Sequence, residues 1–144
     1  MKISIKRIDD AFHFEAKNVE GRAVHIDAAE KLGGHNQGAR PMQMLLMALG
    51  GCSAIDIVNI LKKQRQQIDD FYIEVEGERE KIKEDAAKVF TDIKIHFQFT
   101  GIIAPEKARR AVQLSLDKYC SVGKTLRLAG ARIDYTISVN GESL

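Results

Sequence analysis

Two cysteines, Cys52 and Cys120, are the residues of this 144-residue chain best suited to covalent chemistry. A thiolate is a strong nucleophile, and two thiols can cycle between dithiol and disulfide, so such a pair admits redox work without a cofactor. Neither cysteine belongs to a C-x-x-C pair, the spacing that would announce a thioredoxin-type motif or a zinc site. The bland alternative stays open for each: free cysteine is among the most buried residue types and usually behaves as a small hydrophobe. Cys120 sits in "DKYCSVGKTL", between the end of one helical pattern and the start of another. A sulfur at a helix N-terminus meets the positive end of the dipole, and Lys118 and Lys124 add to that field, so the sequence predicts a thiolate-friendly position. His25, His35 and His96 match no ligand spacing, which argues against a metal site. His35 is expected in a solvated loop and His96 on the outer face of a strand. Asp56 falls one helical turn beyond Cys52, where a carboxylate would oppose a thiolate, so it reads as a hydrogen-bonded side chain and not as a catalytic one.

The elements that must position these residues are legible in the periodicity. "KISIKRI", "FHFEA" and "AVHID" alternate apolar with polar residues as half-buried strands do, with Asp9-Asp10 and Glu20-Gly21 as turns, giving a small antiparallel meander. Residues 31–40, "KLGGHNQGAR", carry three glycines and no periodicity and are expected to form a mobile loop. Pro41 suits the first turn of a helix, and from Leu45 to Leu61 apolar residues cover nearly its whole circumference, predicting a helix buried on several sides. Gly50 and Gly51 cost about 1 kcal/mol each inside such a helix. Close approach of another backbone, from a neighbouring helix or a second copy of the chain, would offset that loss. "FYIEVEGER" and "KVFTDIKIHFQFTG" read as two long strands joined through a charged connection. Pro105 opens a second helix, "SVGKTLRL" a short third one, and "ARIDYTISV" a closing strand. The order β-β-β-α-β-β-α-α-β predicts an α+β fold in a single domain over 1–144.

Composition narrows the function classes. A net charge of +2 with interspersed signs offers no concentrated field for nucleic acid or anionic lipid. The N-terminus alternates charged and apolar residues, unlike a secretory signal. The apolar window from Met44 to Leu61 is interrupted by Asp56 and Asn59, and falls short of a comfortable membrane span. A cytoplasmic location follows as the expectation.

The segment "RPMQMLLMALGGCSAIDIVNILKK", together with "KYCSVGKTL" far downstream, closely resembles the OsmC/Ohr family of osmotically inducible and organic hydroperoxide resistance proteins, nearest its YhfA-like branch. The resemblance implies antiparallel sheets around a long central helix, in an intertwined homodimer whose sites form at the subunit boundary. It implies a thiol peroxidase in which Cys52 attacks the O–O bond of an organic or hydrogen peroxide and becomes a sulfenic acid. Cys120 then condenses with it to a disulfide, and a dithiol reductant, lipoyl groups in the hydroperoxide-resistance branch, restores the pair. That chemistry requires a Cα separation of about 4.4–6.8 Å between the two cysteines. No cofactor or metal enters. An arginine supports the thiolate in the family, and Arg22 and Arg40 are the candidates here. Gln43 stands near the position where the peroxidase branches hold that arginine with a glutamate; it can accept a guanidinium hydrogen bond but brings no charge. The competing expectation keeps the fold without the chemistry: a stress-associated protein binding a small apolar ligand in the dimer groove.

Overall fold

Period-two alternation builds two sheets in the computed structural model, which describes residues 1–144, and the chain forms two compact units, Met1–Leu45 and Leu46–Leu144. In the first unit β1 (Ser4–Arg7), β2 (Phe14–Lys17) and β3 (Ala23–Ile26) make an antiparallel meander in that order. Only Ala16 among these strand residues is buried, and Ile3, Ile5 and Val24 stand at least half exposed. The meander therefore has apolar surface that its own unit does not cover.

Residues 31–40 form the expected loop, and its backbone is anchored. A 3₁₀ turn spans Glu30–Leu32, and the following backbone is tied to the carboxylate of Asp27, which is 1% exposed. Asp27 accepts hydrogen bonds from the N–H groups of Ala28 at 2.7 Å, His35 at 3.0 Å and Gln37 at 3.0 Å. The Gln37 bond leads the causes that hold this carboxyl below its ordinary 3.8; burial opposes it, and the His35 and Ala28 bonds act with Gln37. Because the folded state depresses this pKa, the stabilisation is present above the ordinary aspartate range and is lost as pH falls through the folded value. Asp27→Asn is expected to have the same consequence at neutral pH, because the neutral side chain brings a donor NH₂ where the loop needs acceptors. Amide exchange at His35 and Gln37 should speed up in that variant; unchanged protection would refute the role given to Asp27.

In the second unit the sheet order is β4 (Gln67–Lys81), β5 (Lys88–Ile102), β6 (Arg132–Val139) and β7 (Glu142–Ser143). The α+β class stands. One pairing departs from the antiparallel expectation: β6 runs parallel to β5. Parallel neighbours need a crossover connection, supplied here by α2 (Pro105–Leu114), a π turn (Ser115–Tyr119) and α3 (Ser121–Leu128). One face of the sheet, with Ile93, Ile95, Phe97, Phe99, Ile133 and Ile137, is buried together with Ala108, Ala111, Val112 and Leu116 of the crossover. Phe71 stacks on Phe99 with ring centroids 4.4 Å apart. The opposite face is polar, and there His96 bonds Thr136 through Nδ1 at 2.6 Å.

Helix α1 (Pro41–Lys63) begins in the first unit and continues through the second. Within the chain it is buried on one stripe, where Leu49, Ser53, Ile57 and Leu61 recur every fourth residue, and not on the several sides expected of it. Met47 and Ile55 are 62% and 74% exposed, so the apolar circumference exceeds what one copy of the fold covers. By length and composition α1 would also suffice to cross a membrane, more than the sequence reading allowed, and 28% of its most apolar window is buried within the chain. The two glycines separate: a Cβ on Gly50 would meet the Val75 side chain at 3.3 Å, while one on Gly51 would meet nothing within 4 Å. Within this chain the close neighbour at Gly50 is a strand side chain and not the backbone of a neighbouring helix.

Candidate active site

The buried stripe of α1 carries one polar residue, Ser53, and beside it on the helix stands Cys52, half-buried. The element that meets them is the junction of α2 and α3. At the end of α2 the hydrogen-bond ladder widens into a π turn, closed by the Cys120 N–H donating to the Ser115 carbonyl at 2.8 Å. Such turns recur at functional sites because the extra residue re-aims the side chains that follow. Cys120 then leaves helical geometry, with φ −68° and ψ 96°, and becomes the N-cap of α3. Its sulfur accepts the Gly123 N–H at 3.3 Å, in the way a cap side chain satisfies an orphan donor of the first turn.

Far apart in sequence, Cys52 and Cys120 come together in the fold: Cys52 adjoins Ser53, whose hydroxyl lies 3.5 Å from the Cys120 sulfur, and both cysteines are free thiols. Cys120 is 3% exposed. Burial, the largest influence, pushes its thiol above the ordinary 9.0; bonds from Ser53 and Gly123 pull it down, while contact with Cys52 and the Cys52 charge push it up again. The expected thiolate-friendly Cys120 is thus corrected. Desolvation outweighs the short helix that Cys120 caps, and Lys118 lies 5.3 Å from the centroid of the Tyr119 ring. The two thiols thus differ in setting, Cys120 buried and capped, Cys52 half-buried.

Two serines missed in the sequence complete the cluster. Ser53 and Ser115 are both fully buried. The Ser53 hydroxyl lies 2.9 Å from the Leu49 carbonyl and 3.5 Å from the Cys120 sulfur. The Ser115 hydroxyl reaches the Ser53 carbonyl at 3.4 Å and the Asp56 carboxylate at 3.3 Å, so Asp56 is a hydrogen-bonded carboxylate tying α1 to the π turn. A polar residue in the repeat Leu49, Ser53, Ile57, Leu61 was the available signal for Ser53.

The remaining candidates lie in the first unit. The Arg40 N–H donates to Gln43 Oε1 at 2.9 Å, the reciprocal half of a capping box at the start of α1, and the Arg40 guanidinium donates to Asn36 Oδ1 at 2.8 Å. Gln43 here accepts a backbone donor and not the guanidinium hydrogen bond expected of it. Arg22 is exposed, and its bonds are backbone ones to Asn18: its N–H donates to Asn18 Oδ1 at 2.8 Å and its carbonyl accepts the Asn18 N–H at 3.2 Å. His25 Nδ1 lies 2.8 Å from His13 Nε2, and His35 Nδ1 lies 3.6 Å from Asp9. No three His, Cys, Asp or Glu side chains converge on a point that would hold a metal ion.

A half-buried thiol on a long helix and a capped, buried thiol at a helix junction lie on either side of the Ser53 hydroxyl in a protein of the α+β class. Comparison with known proteins agrees, and the chain belongs to the OsmC-like protein family, whose model matches residues 34–136. Protein YhfA of Escherichia coli K12 is 49% identical over 90 residues, which span 62% of this chain and 65% of the relative, just under two thirds of its length. A hypothetical protein from Aquifex aeolicus shares the fold at 28% identity and a TM-score of 0.77, with 96% of each chain covered. An organic hydroperoxide resistance protein from Legionella pneumophila, also described as a predicted redox protein, superposes with a TM-score of 0.65 at 17% identity, again over 96% of each chain. At that identity the likeness shows the fold alone.

Proposed function

We propose that this protein is a cytoplasmic, homodimeric thiol peroxidase that reduces organic or hydrogen peroxide with Cys52 and resolves the product with Cys120. The closeness of the two thiols carries the reading: the Cys120 sulfur lies 3.5 Å from the hydroxyl of Ser53, the residue next to Cys52. The Cys52 thiolate attacks one peroxide oxygen, the O–O bond breaks, and the other oxygen leaves as an alkoxide or hydroxide that takes up a proton. The Cys52 sulfenic acid and the Cys120 thiol then form a disulfide and release water. A dithiol reductant of the lipoyl type returns both sulfurs to thiols and leaves as its own disulfide. Cys120 suits the second step: it holds its proton while Cys52 is charged, and gives it up as hydroxide departs.

Uncovered apolar residues on α1 and on the meander, Met47, Ile55, Ile3 and Ile5, support pairing of two copies. Arg22 and Arg40 are the proposed cationic supports for the Cys52 thiolate, with Gln43 fixing the start of the helix that carries it. Membership of a family that includes proteins named for organic hydroperoxide resistance points the same way.

Thiol titration tests the proposal. A slight excess of cumene hydroperoxide should consume both free thiols of the purified protein and yield one intramolecular disulfide. An unchanged thiol titre would reject the peroxidase and favour the ligand-binding alternative.

A further inference from the structure

We infer that Ser53 is a positioning residue whose hydroxyl switches from the Leu49 carbonyl to the Cys120 sulfur when that sulfur ionises, and so sets the rate of disulfide closure. The inference rests on the dithiol reading above and deepens it. Ser53 has one hydroxyl proton and two acceptors in reach, the Leu49 carbonyl at 2.9 Å and the Cys120 sulfur at 3.5 Å. While Cys120 is a neutral thiol, its sulfur is a weak acceptor and the carbonyl is the better partner. Once Cys120 gives up its proton to attack the Cys52 sulfenic acid, the preference reverses, because a hydrogen bond to an ionised acceptor is roughly twice as strong as one to a neutral acceptor. Rotation about one side-chain bond achieves the exchange without moving backbone.

The surroundings make this donor consequential. Ser53 is fully buried and Cys120 nearly so, leaving little water to solvate a sulfur anion. Among the groups bonded to the Cys120 sulfur, the two donors that favour its charged form are the Ser53 hydroxyl and the Gly123 N–H at 3.3 Å. The Gly123 donor is fixed by the helix cap, so Ser53 is the adjustable one. Ser115 holds the Ser53 segment of α1 against the π turn through the Ser53 carbonyl at 3.4 Å, which keeps hydroxyl and sulfur in register.

The experiment has two arms. In a Cys52→Ser protein labelled with [3-¹³C]cysteine, the Cβ signal of Cys120 is titrated against pH, with and without Ser53→Ala. The alanine variant should titrate at higher pH, a result that needs no peroxide and survives failure of the peroxidase reading. In the protein with both cysteines, Ser53→Ala should slow disulfide formation after a single equivalent of peroxide about tenfold, the value of a hydrogen bond to a charged group. Mass spectrometry should then show Cys52 carrying added oxygens. Ser53→Thr, which keeps the hydroxyl, should restore both the titration and the rate. A Ser53→Ala titration superposable on that of its parent would overturn the inference, as would equal slowing by alanine and threonine, which would mark Ser53 as packing alone.

Discussion

Cys52→Ser is expected to abolish peroxide consumption, whereas Cys120→Ser is expected to leave the first attack intact and to trap the enzyme after it. The asymmetry follows from where each sulfur sits. Cys52 is half-buried and can be reached by a peroxide, while Cys120 is buried and hydrogen-bonded at its helix cap. Removing Cys52 takes away the nucleophile, and serine at that position cannot replace it, because an alcohol does not ionise near neutral pH and oxygen does not form a stable bond to a second oxygen here. Without Cys120, one equivalent of peroxide still produces the Cys52 sulfenic acid. Lacking its resolving thiol, that species meets a second peroxide and climbs to sulfinic and sulfonic acid, both irreversible for this chain. Turnover therefore ends after one cycle, and the mass of Cys52 rises by two or three oxygens. Measured together, peroxide clearance and intact mass distinguish the two roles. Wild-type clearance by both variants would sink the cysteine mechanism.

The α+β class, the order of elements and the long apolar helix were legible because period-two and helical patterns express burial directly. "KVFTDIKIHFQFTG" announces β5 because Phe97, Phe99, Ile93 and Ile95 all face one buried side. What escaped was set by long-range geometry. The parallel placement of β6 depends on a crossover whose path no local pattern encodes. The π turn at Ser115–Tyr119 reads as ordinary helix in sequence, yet it aims Cys120 at α1. Desolvation of Cys120 was invisible for the same reason: the residues that bury it come from elsewhere in the chain. Lys118 and Lys124 looked like electrostatic helpers because sequence neighbours are all that a string of letters displays. Asp27 was overlooked because its three partners, Ala28, His35 and Gln37, are backbone groups that carry no side-chain signature.

That loop supplies a second large effect, this one on stability and from a single methyl group. Gly34→Ala would place a Cβ 2.0 Å from the Ala28 carbonyl oxygen, 2.5 Å from its carbon and 3.0 Å from Asp27 Oδ1. Real Cβ contacts do not occur at such distances, and the opposing atoms are mostly backbone, which cannot rotate aside like a side chain. Backbone conformation is not the obstacle, since Gly34 lacks the positive φ found at its neighbour Gly33, at 90°. The obstacle is space alone. To admit the methyl the segment must lift from Ala28, which strains the Gly34 N–H bond to Ala29 at 3.2 Å and draws His35 and Gln37 off the Asp27 carboxylate. Overpacking of this kind costs about 3 kcal/mol, with the lost loop bonds included in that cost. Thermal unfolding should register the loss, and amide exchange should locate it at His35 and Gln37. The variant combining Gly34→Ala with Asp27→Asn should lose little more than Gly34→Ala alone, because both changes break the same bonds and coupled sites do not add. Full additivity would mean that Gly34 and Asp27 stabilise the chain independently, and the close approach at Gly34 would then have to serve something other than holding the loop on its carboxylate.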